Sequence, residues 1–155
     1  MTTAEALTAH LDEENLEHMY LIFNVNQEAY GVGIGFVTEI VGLQKIVQVP
    51  DVPSYIKGVI NLRGQVIPVM DVRTRFKMQD KTYDDRTVII VLEHQDIKTG
   101  LIVDGVSDVQ ELREEDLSPP PQNDQSSEKN IMTGIGQKES RVFFLLDIEK
   151  LLYCE

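Results

Sequence analysis

No apolar run in this chain exceeds a handful of residues before a turn former interrupts it. Met19 to Phe23, Val88 to Leu92 and Val142 to Leu146 are five residues each, and Gly, Pro, Asn and Asp punctuate the spaces between. Runs of that length rich in Val, Ile and Phe are strand-sized and too short for core helices. The spacing predicts strands over Met19–Val25, Ala29–Ile34, Gly58–Leu62, Gln65–Val72, Thr87–Leu92, Lys98–Val103, Val106–Leu112, Ile131–Gly136 and Arg141–Leu146. A single helical turn is expected over Phe36–Ile40, with strand character resuming over Val41–Val49. Arg63-Gly64 reads as a hairpin and Asp104-Gly105 as a tight turn. Pro68 cannot donate to a ladder, which predicts an edge strand or a bulge there. Gly31, Gly33 and Gly35 alternate, leaving one strand face as bare backbone, which marks a bulge or a close approach by another chain. Asp147 is placed to cap a short helix with Ile148, Leu151 and Leu152 on one face. The fold class expected is all-β, a barrel or sandwich, and about ten strands exceed one small barrel, so two lobes are expected.

Charge narrows the function. Twenty-six acids face 14 Lys plus Arg, a net charge of −12. Binding to phosphates needs basic clusters, so nucleic acid is not an expected partner. Anionic lipid is disfavoured for the same reason, and no run approaches the roughly 20 apolar residues that span a bilayer. Met1 to Glu5 has neither the basic nor the apolar region of a secretion signal. Cys154 is the sole cysteine and has no intramolecular partner, which fits a reducing cytoplasm. Residues 1–18 are acidic, with Thr2 and Glu5 at capping-box spacing. They read as a frayed helix or a flexible tail ahead of a domain over 19–155. Residues 118–130 are polar and proline-rich, an extended loop.

Catalytic chemistry is not written in the chain. His10, His18 and His94 have no Cys, His or Asp neighbour at metal-ligand spacing, so neither metal nor cofactor is expected. Gly31 to Gly35 is neither a phosphate loop nor a dinucleotide fingerprint. Asp84-Asp85 and Glu114-Glu115-Asp116 lie in polar stretches and read as solvated loops. What stands out is basic: seven of the 14 Lys and Arg fall between Lys57 and Arg86, with only four acids beside them. Arg63, at a hairpin tip beside glycine, is either a solubilising charge or an interface anchor. Val37 and Ile40, next to the glycine strand, are candidates to line a groove.

Four ordered blocks carry a family resemblance. They are Tyr55 to Phe76 around Gly58-Val-Ile-Asn-Leu-Arg-Gly64; Thr87 to Leu92 with Gly100 to Val109; Thr133-Gly-Ile-Gly136; and Asp147-Ile-Glu-Lys-Leu-Leu152. Together they resemble the CheW family of chemotaxis coupling proteins over about residues 19–153. The resemblance implies two packed five-stranded SH3-like β-barrels with interleaved connections, a short C-terminal helix and no enzymatic activity. It implies a cytoplasmic adaptor recruited to membrane receptor arrays. The implied partners are the regulatory domain of the CheA histidine kinase, the hairpin tip of methyl-accepting chemoreceptors, and other CheW-like domains in array rings. By position, Val37, Glu39, Arg63, Val88 and Gly100 would form a receptor groove between the lobes, with Glu39 orienting Arg63. Ile40, Leu43 and Val106 would face the kinase. Ser118-Pro-Pro-Pro-Gln-Asn123 stands where many relatives carry a basic residue and an aromatic, which weakens the expectation of a second kinase contact. The alternatives are an adaptor of a pilus-motility or other chemosensory-like pathway, a small-ligand-binding β-barrel sensor and, weakest, an enzyme.

Overall fold

The computed structural model describes residues 17–120 and 131–153. The expected acidic tail falls almost wholly outside those residues, as do most of the proline-rich loop and Cys154. Eleven strands run β1 (Met19–Val25), β2 (Glu28–Gly33), β3 (Val37–Gly42), β4 (Ile56–Leu62), β5 (Gln65–Asp71), β6 (Val88–His94), β7 (Ile97–Val103), β8 (Gly105–Glu111), β9 (Leu117–Ser118), β10 (Met132–Lys138) and β11 (Arg141–Leu146). Among the described residues two α-helices accompany them, α1 (Val72–Arg75) and α2 (Ile148–Tyr153), with 3-10 turns at Ile34–Phe36 and at Glu114–Asp116, the latter expected as a loop. Four hairpins close with two residues each at positive φ: Asn26 and Gln27, Arg63 and Gly64, Gln95 and Asp96, Glu139 and Ser140. Two left-handed residues in succession give the turn whose twist matches the flanking strands. Glycine supplies that conformation only once here, which is why three of the four turns carry little sequence signal.

The strands form two sheets in the orders β8-β1-β2-β11-β10-β9 and β3-β6-β7-β5-β4. Their first five strands repeat one pattern: two antiparallel pairings, then a parallel junction (β2 with β11, β7 with β5), then a hairpin. The molecule is thus all-β, two packed SH3-like barrels, with β9 added to the first. The second barrel is one contiguous stretch inserted between β2 and β8.

Both faces of the central strands are buried, and this accounts for the unbroken apolar runs. Ile89 and Val91 of β6 point into the second barrel with Ile60, Ile67, Val69 and Ile102. Their neighbours Ile90 and Leu92 point the other way, into a cluster of 17 buried residues shared with Leu21, Phe23 and Val32 of the first barrel. A third, smaller cluster of Ile22, Leu112, Phe143 and Leu145 fills the first barrel. Each barrel is tight where its parallel junction lies. A Cβ on Gly31 would stand 2.9 Å from Leu145, and one on Gly100 would stand 2.7 Å from Ile89 and 2.9 Å from Val69. Of the three alternating glycines, Gly31 is approached closely by the barrel's own core and Gly33 by Phe36, whereas Gly35 lies beyond the strand with open space around it.

Five expectations need correcting. The helical turn comes earlier, at Ile34–Phe36, and Val37–Gly42 is strand. Beyond Gly42 strand character does not resume: only Val47 pairs, with Val59. Pro68 lies in β5, an interior strand of its sheet. Val59, opposite it, turns both backbone groups away to Val47, so the missing donor of Pro68 falls on the β7 side, where pairing begins only at Val69. The alternative of a bulge is met next to it, in β4, where the β4–β5 register shifts between Ile56 and Gly58. Asp104-Gly105 is no hairpin; it is where the chain crosses from β7 of one sheet to β8 of the other. Val72, expected as strand, opens α1, with Asp71 accepting from the Arg73 backbone N–H at 2.9 Å as its cap. The capping by Asp147 is as expected: its carboxylate accepts from the Lys150 N–H at 3.1 Å, with Ile148 and Leu151 buried.

The short helix α1 joins the barrels. Arg73 is bidentate to Asp104, Nε to Oδ1 at 3.0 Å and Nη2 to Oδ2 at 2.6 Å, and also donates to the Gln79 carbonyl at 3.1 Å. Asp104 in turn accepts from the Asn26 N–H at 2.8 Å in the β1–β2 turn of the first barrel. Tyr83 donates to the other oxygen of Asp71 at 2.7 Å. Arg75, 7% exposed, reaches the opposite way, to the Leu151 and Lys150 carbonyls of α2 at 3.2 and 3.3 Å. A guanidinium at a helix C-terminus meets its unpaired carbonyls and its dipole. Burial alone would raise the Asp104 carboxyl, but the Arg73 hydrogen bonds and the Asn26 N–H outweigh it and hold it below the ordinary carboxylate range.

Gly58 has φ +147°, and an added Cβ would run into the Val47 carbonyl. Gly58→Ala should therefore cost about 2–4 kcal/mol in urea unfolding, while Gly35→Ala, with open space around it, should stay within about 0.5 kcal/mol of the parent. Asp104→Asn removes a carboxylate whose folded-state value is depressed, so its contribution is present above the unfolded value and is lost as pH falls through the folded one. The stability gap between parent and Asp104→Asn should be about 2 kcal/mol near neutrality and shrink as pH falls below about 4, as followed by denaturant unfolding across a pH series.

Candidate functional site: an arginine-tipped hairpin and an inter-barrel groove

Arg63 occupies the β4–β5 turn at φ 51°, and the Asn61 carboxamide braces that turn by accepting the Gly64 N–H at 2.9 Å. The side chain is 69% exposed, yet it is ion-paired with Glu39, which is only 18% exposed. Glu39 is aimed there by a bulge. The β3–β6 register slips between Val37 and Glu39, and Thr38 turns its hydroxyl to the Val91 carbonyl at 3.1 Å. An extra residue in one strand re-aims the side chains beyond it. The pair itself is worth about 0–1 kcal/mol at this exposure, so its effect is to hold the guanidinium in place at the surface.

A groove of about 770 Å³ opens between the barrels. Ile40, Val88 and Val106 supply its apolar lining, Lys81 and Arg86 stand on the side of the second barrel, and Asp104 lies where the chain crosses over. A second hollow of about 580 Å³ is lined by Tyr20, Phe36, Leu146 and Ile148, with Glu17 and Glu149 among its charged residues. The Phe36 ring packs against His94 there, centroids 5.9 Å apart.

The residues singled out from the sequence are distributed unevenly over these features. Glu39 and Arg63 are in contact. Val37 and Val88 sit at opposite ends of the β3–β6 pair, facing Leu92 and Gly42 respectively, and each packs on the inter-barrel core. Val88 shares the large groove with Ile40 and Val106, so residues that the resemblance divided between two surfaces meet in one. Gly100 is buried, its missing Cβ directed at Ile89 and Val69 inside the second barrel. Leu43 is 41% exposed just past β3, and Val47, Val49 and Val52 are exposed along the same stretch.

The basic stretch from Lys57 to Arg86 does not form one basic surface, since Arg73 and Arg75 are consumed in the inter-barrel contacts. Sequence reasoning misses those contacts: Asp104 is visible only as a turn residue, and nothing local ties it to Arg73. It misses Phe36 against His94 as well, because the two are far apart in the chain. Among the described residues no group of three or more His, Cys, Asp or Glu is arranged to hold a metal ion. No helix among them is long and apolar enough to cross a membrane.

Comparison with known proteins agrees with this architecture. Residues 19–154 match the CheW-like domain family. The chain is 39% identical over 150 residues to the chemotaxis protein CheW of Klebsiella aerogenes, covering 97% of this chain and 90% of that one. It is 35% identical over 132 residues to chemotaxis protein CheW of Bacillus subtilis, covering 85% of each. The crystal structure of the scaffolding protein TtCheW from Thermoanaerobacter tengcongensis superposes with a TM-score of 0.80 at 30% identity, over 89% of this chain and 94% of that one. Two like-patterned barrels, an arginine-tipped hairpin braced by a β3 acid and relatives of this identity lead to one conclusion: the chain belongs to the CheW-like domain family.

Proposed function

We propose that this chain is a chemotaxis adaptor that couples methyl-accepting chemoreceptors to the CheA histidine kinase through simultaneous protein–protein contacts, working in the cytoplasm at receptor arrays. The observation that carries the reading is the Glu39–Arg63 pair. A turn arginine with most of its surface in water, fixed by a largely buried acid from another strand, contributes little to folding and much to presenting a charge. The names of the relatives support a chemotaxis role. In this reading Arg63, Glu39 and Val37 contact the receptor tip. Ile40, Leu43 and Val106 contact the regulatory domain of the kinase. Val88 lies in the groove beside the kinase-facing residues, and Gly100 acts only by keeping the second barrel closed beneath the receptor face. Other CheW-like domains are the partners that would extend the assembly into rings. No bond is made or broken by the protein; joining two modest contacts raises the effective concentration of each partner for the other. A receptor arrangement that favours one kinase state then shifts its population.

The test is titration of the labelled chain with a receptor-tip fragment and, separately, with the kinase regulatory domain. Arg63→Glu should weaken the receptor fragment by about tenfold or more and leave the kinase domain's affinity unchanged. Unfolding stability should stay within about 1 kcal/mol of the parent, because the residue is exposed. Unchanged receptor affinity in that variant would remove Arg63 from the site, and failure of the parent to bind either partner would overturn the reading.

A further inference from the structure

Most of the contact between the barrels is apolar burial, which is strong but non-directional, and away from the groove Arg75 adds single hydrogen bonds to two carbonyls of α2. A bidentate guanidinium–carboxylate pair is directional, because both components must be coplanar and aligned. From this contrast we propose that the Arg73–Asp104 clasp sets the angle between the two barrels, and with it the width of the inter-barrel groove. Arg73 and Asp104 are therefore positioning residues for whatever binds there. The inference rests on the adaptor reading only for the identity of that partner, the kinase regulatory domain.

The geometry supports the assignment at each side of the groove. Arg73 lies on the helix that ends β5 of the second barrel, and through Gln79 it also holds the start of the segment that carries Lys81 to Arg86 along one side of the groove. Asp104 is at the crossover, with its own N–H donated to the Asn24 carbonyl at 3.0 Å and its carboxylate taking the Asn26 N–H. It is thereby fixed to the first barrel, whose Asn24 and Gln27 border the opposite side. One ion pair thus spans the two sides. Both members are largely sequestered, 11% and 21% exposed, so water competes poorly for their hydrogen bonds. Arg141 and Asp108 make a comparable two-point contact, at 3.0 and 3.2 Å, but wholly within the first barrel. They provide a control that removes a more exposed arginine–aspartate pair from inside one barrel, at 41% and 37% exposure, with Ser107 of the groove lining a further hydrogen-bond partner of Arg141.

The experiment measures residual dipolar couplings on the full chain in the parent, Asp104→Asn, Arg73→Lys and Arg141→Met. In the parent and in Arg141→Met, one alignment tensor with the barrels in their native orientation should fit both barrels. In Asp104→Asn each barrel should still fit its own structure, but the native inter-barrel orientation should no longer fit the two jointly. Affinity for the kinase regulatory domain should fall about tenfold with that change. Arg73→Lys keeps the charge and loses the two-point fork, so it should shift orientation in the same sense; it also decides the matter should Asp104→Asn not fold. Native orientation retained in the folded clasp variants would overturn the proposal. The orientation readout needs no partner, so it stands or fails separately from the adaptor reading.

Discussion

Everything in this molecule depends on strands that bury both faces at once. A single small barrel encloses few side chains: the first barrel's own cluster is Ile22, Leu112, Phe143 and Leu145. Such a core is marginal for an independent domain. The cluster between the barrels is far larger, and it is built from the outward faces of the same strands. Each barrel therefore needs the other's surface to bury its apolar exterior, and the pair behaves as one cooperative unit. The glycines at each parallel junction arise from the same constraint. With side chains filling both faces, Gly31 and Gly100 leave the room through which Leu145, Ile89 and Val69 meet the barrel centre.

This constraint also separates what was legible in the sequence from what was not. Strand positions were readable because the five-residue apolar runs are the signature of two-sided burial. The helix cap at Asp147 was readable because its signal is local. Pairing was not readable, since Pro68 is accommodated in an interior strand only because the parallel pairing of β5 with β7 begins one residue later, at Val69. The crossover at Asp104 looks like any Asp-Gly turn because the two-residue signal is identical whichever sheet the chain enters next. Three of the four hairpins lack glycine and leave only a polar break in the sequence.

The site divides in the same way. Arg63 can be found from its turn, whereas its pairing with Glu39 comes from family resemblance rather than from spacing. The bulge at Thr38 that aims Glu39 has no local signature at all. Gly100 is legible in a different way. Position within a family pattern suggests a contact surface, whereas the physical demand at that residue is the absence of a side chain inside a barrel. In the sequence Arg73 and Arg75 are simply part of a basic stretch, and only the fold reveals that both reach away from their own barrel.

The insertion of the second barrel between β2 and β8 has a consequence for how the chain acquires its shape. All five strands of that barrel come from one uninterrupted stretch, Val37 to Val103, whereas the first barrel must pair Met19 with Glu111 and Tyr30 with Phe144. Closing those long loops in an unstructured chain carries an entropic cost that grows with the intervening length. Prior formation of the inserted barrel collapses most of that length into a compact body and brings β2 and β8 within reach of each other. During synthesis the inserted barrel is also complete before β10 and β11 leave the ribosome. Within the one cooperative transition, connectivity thus makes the pairings of the inserted barrel the cheaper early contacts and the long-range pairings of the outer barrel the costlier ones.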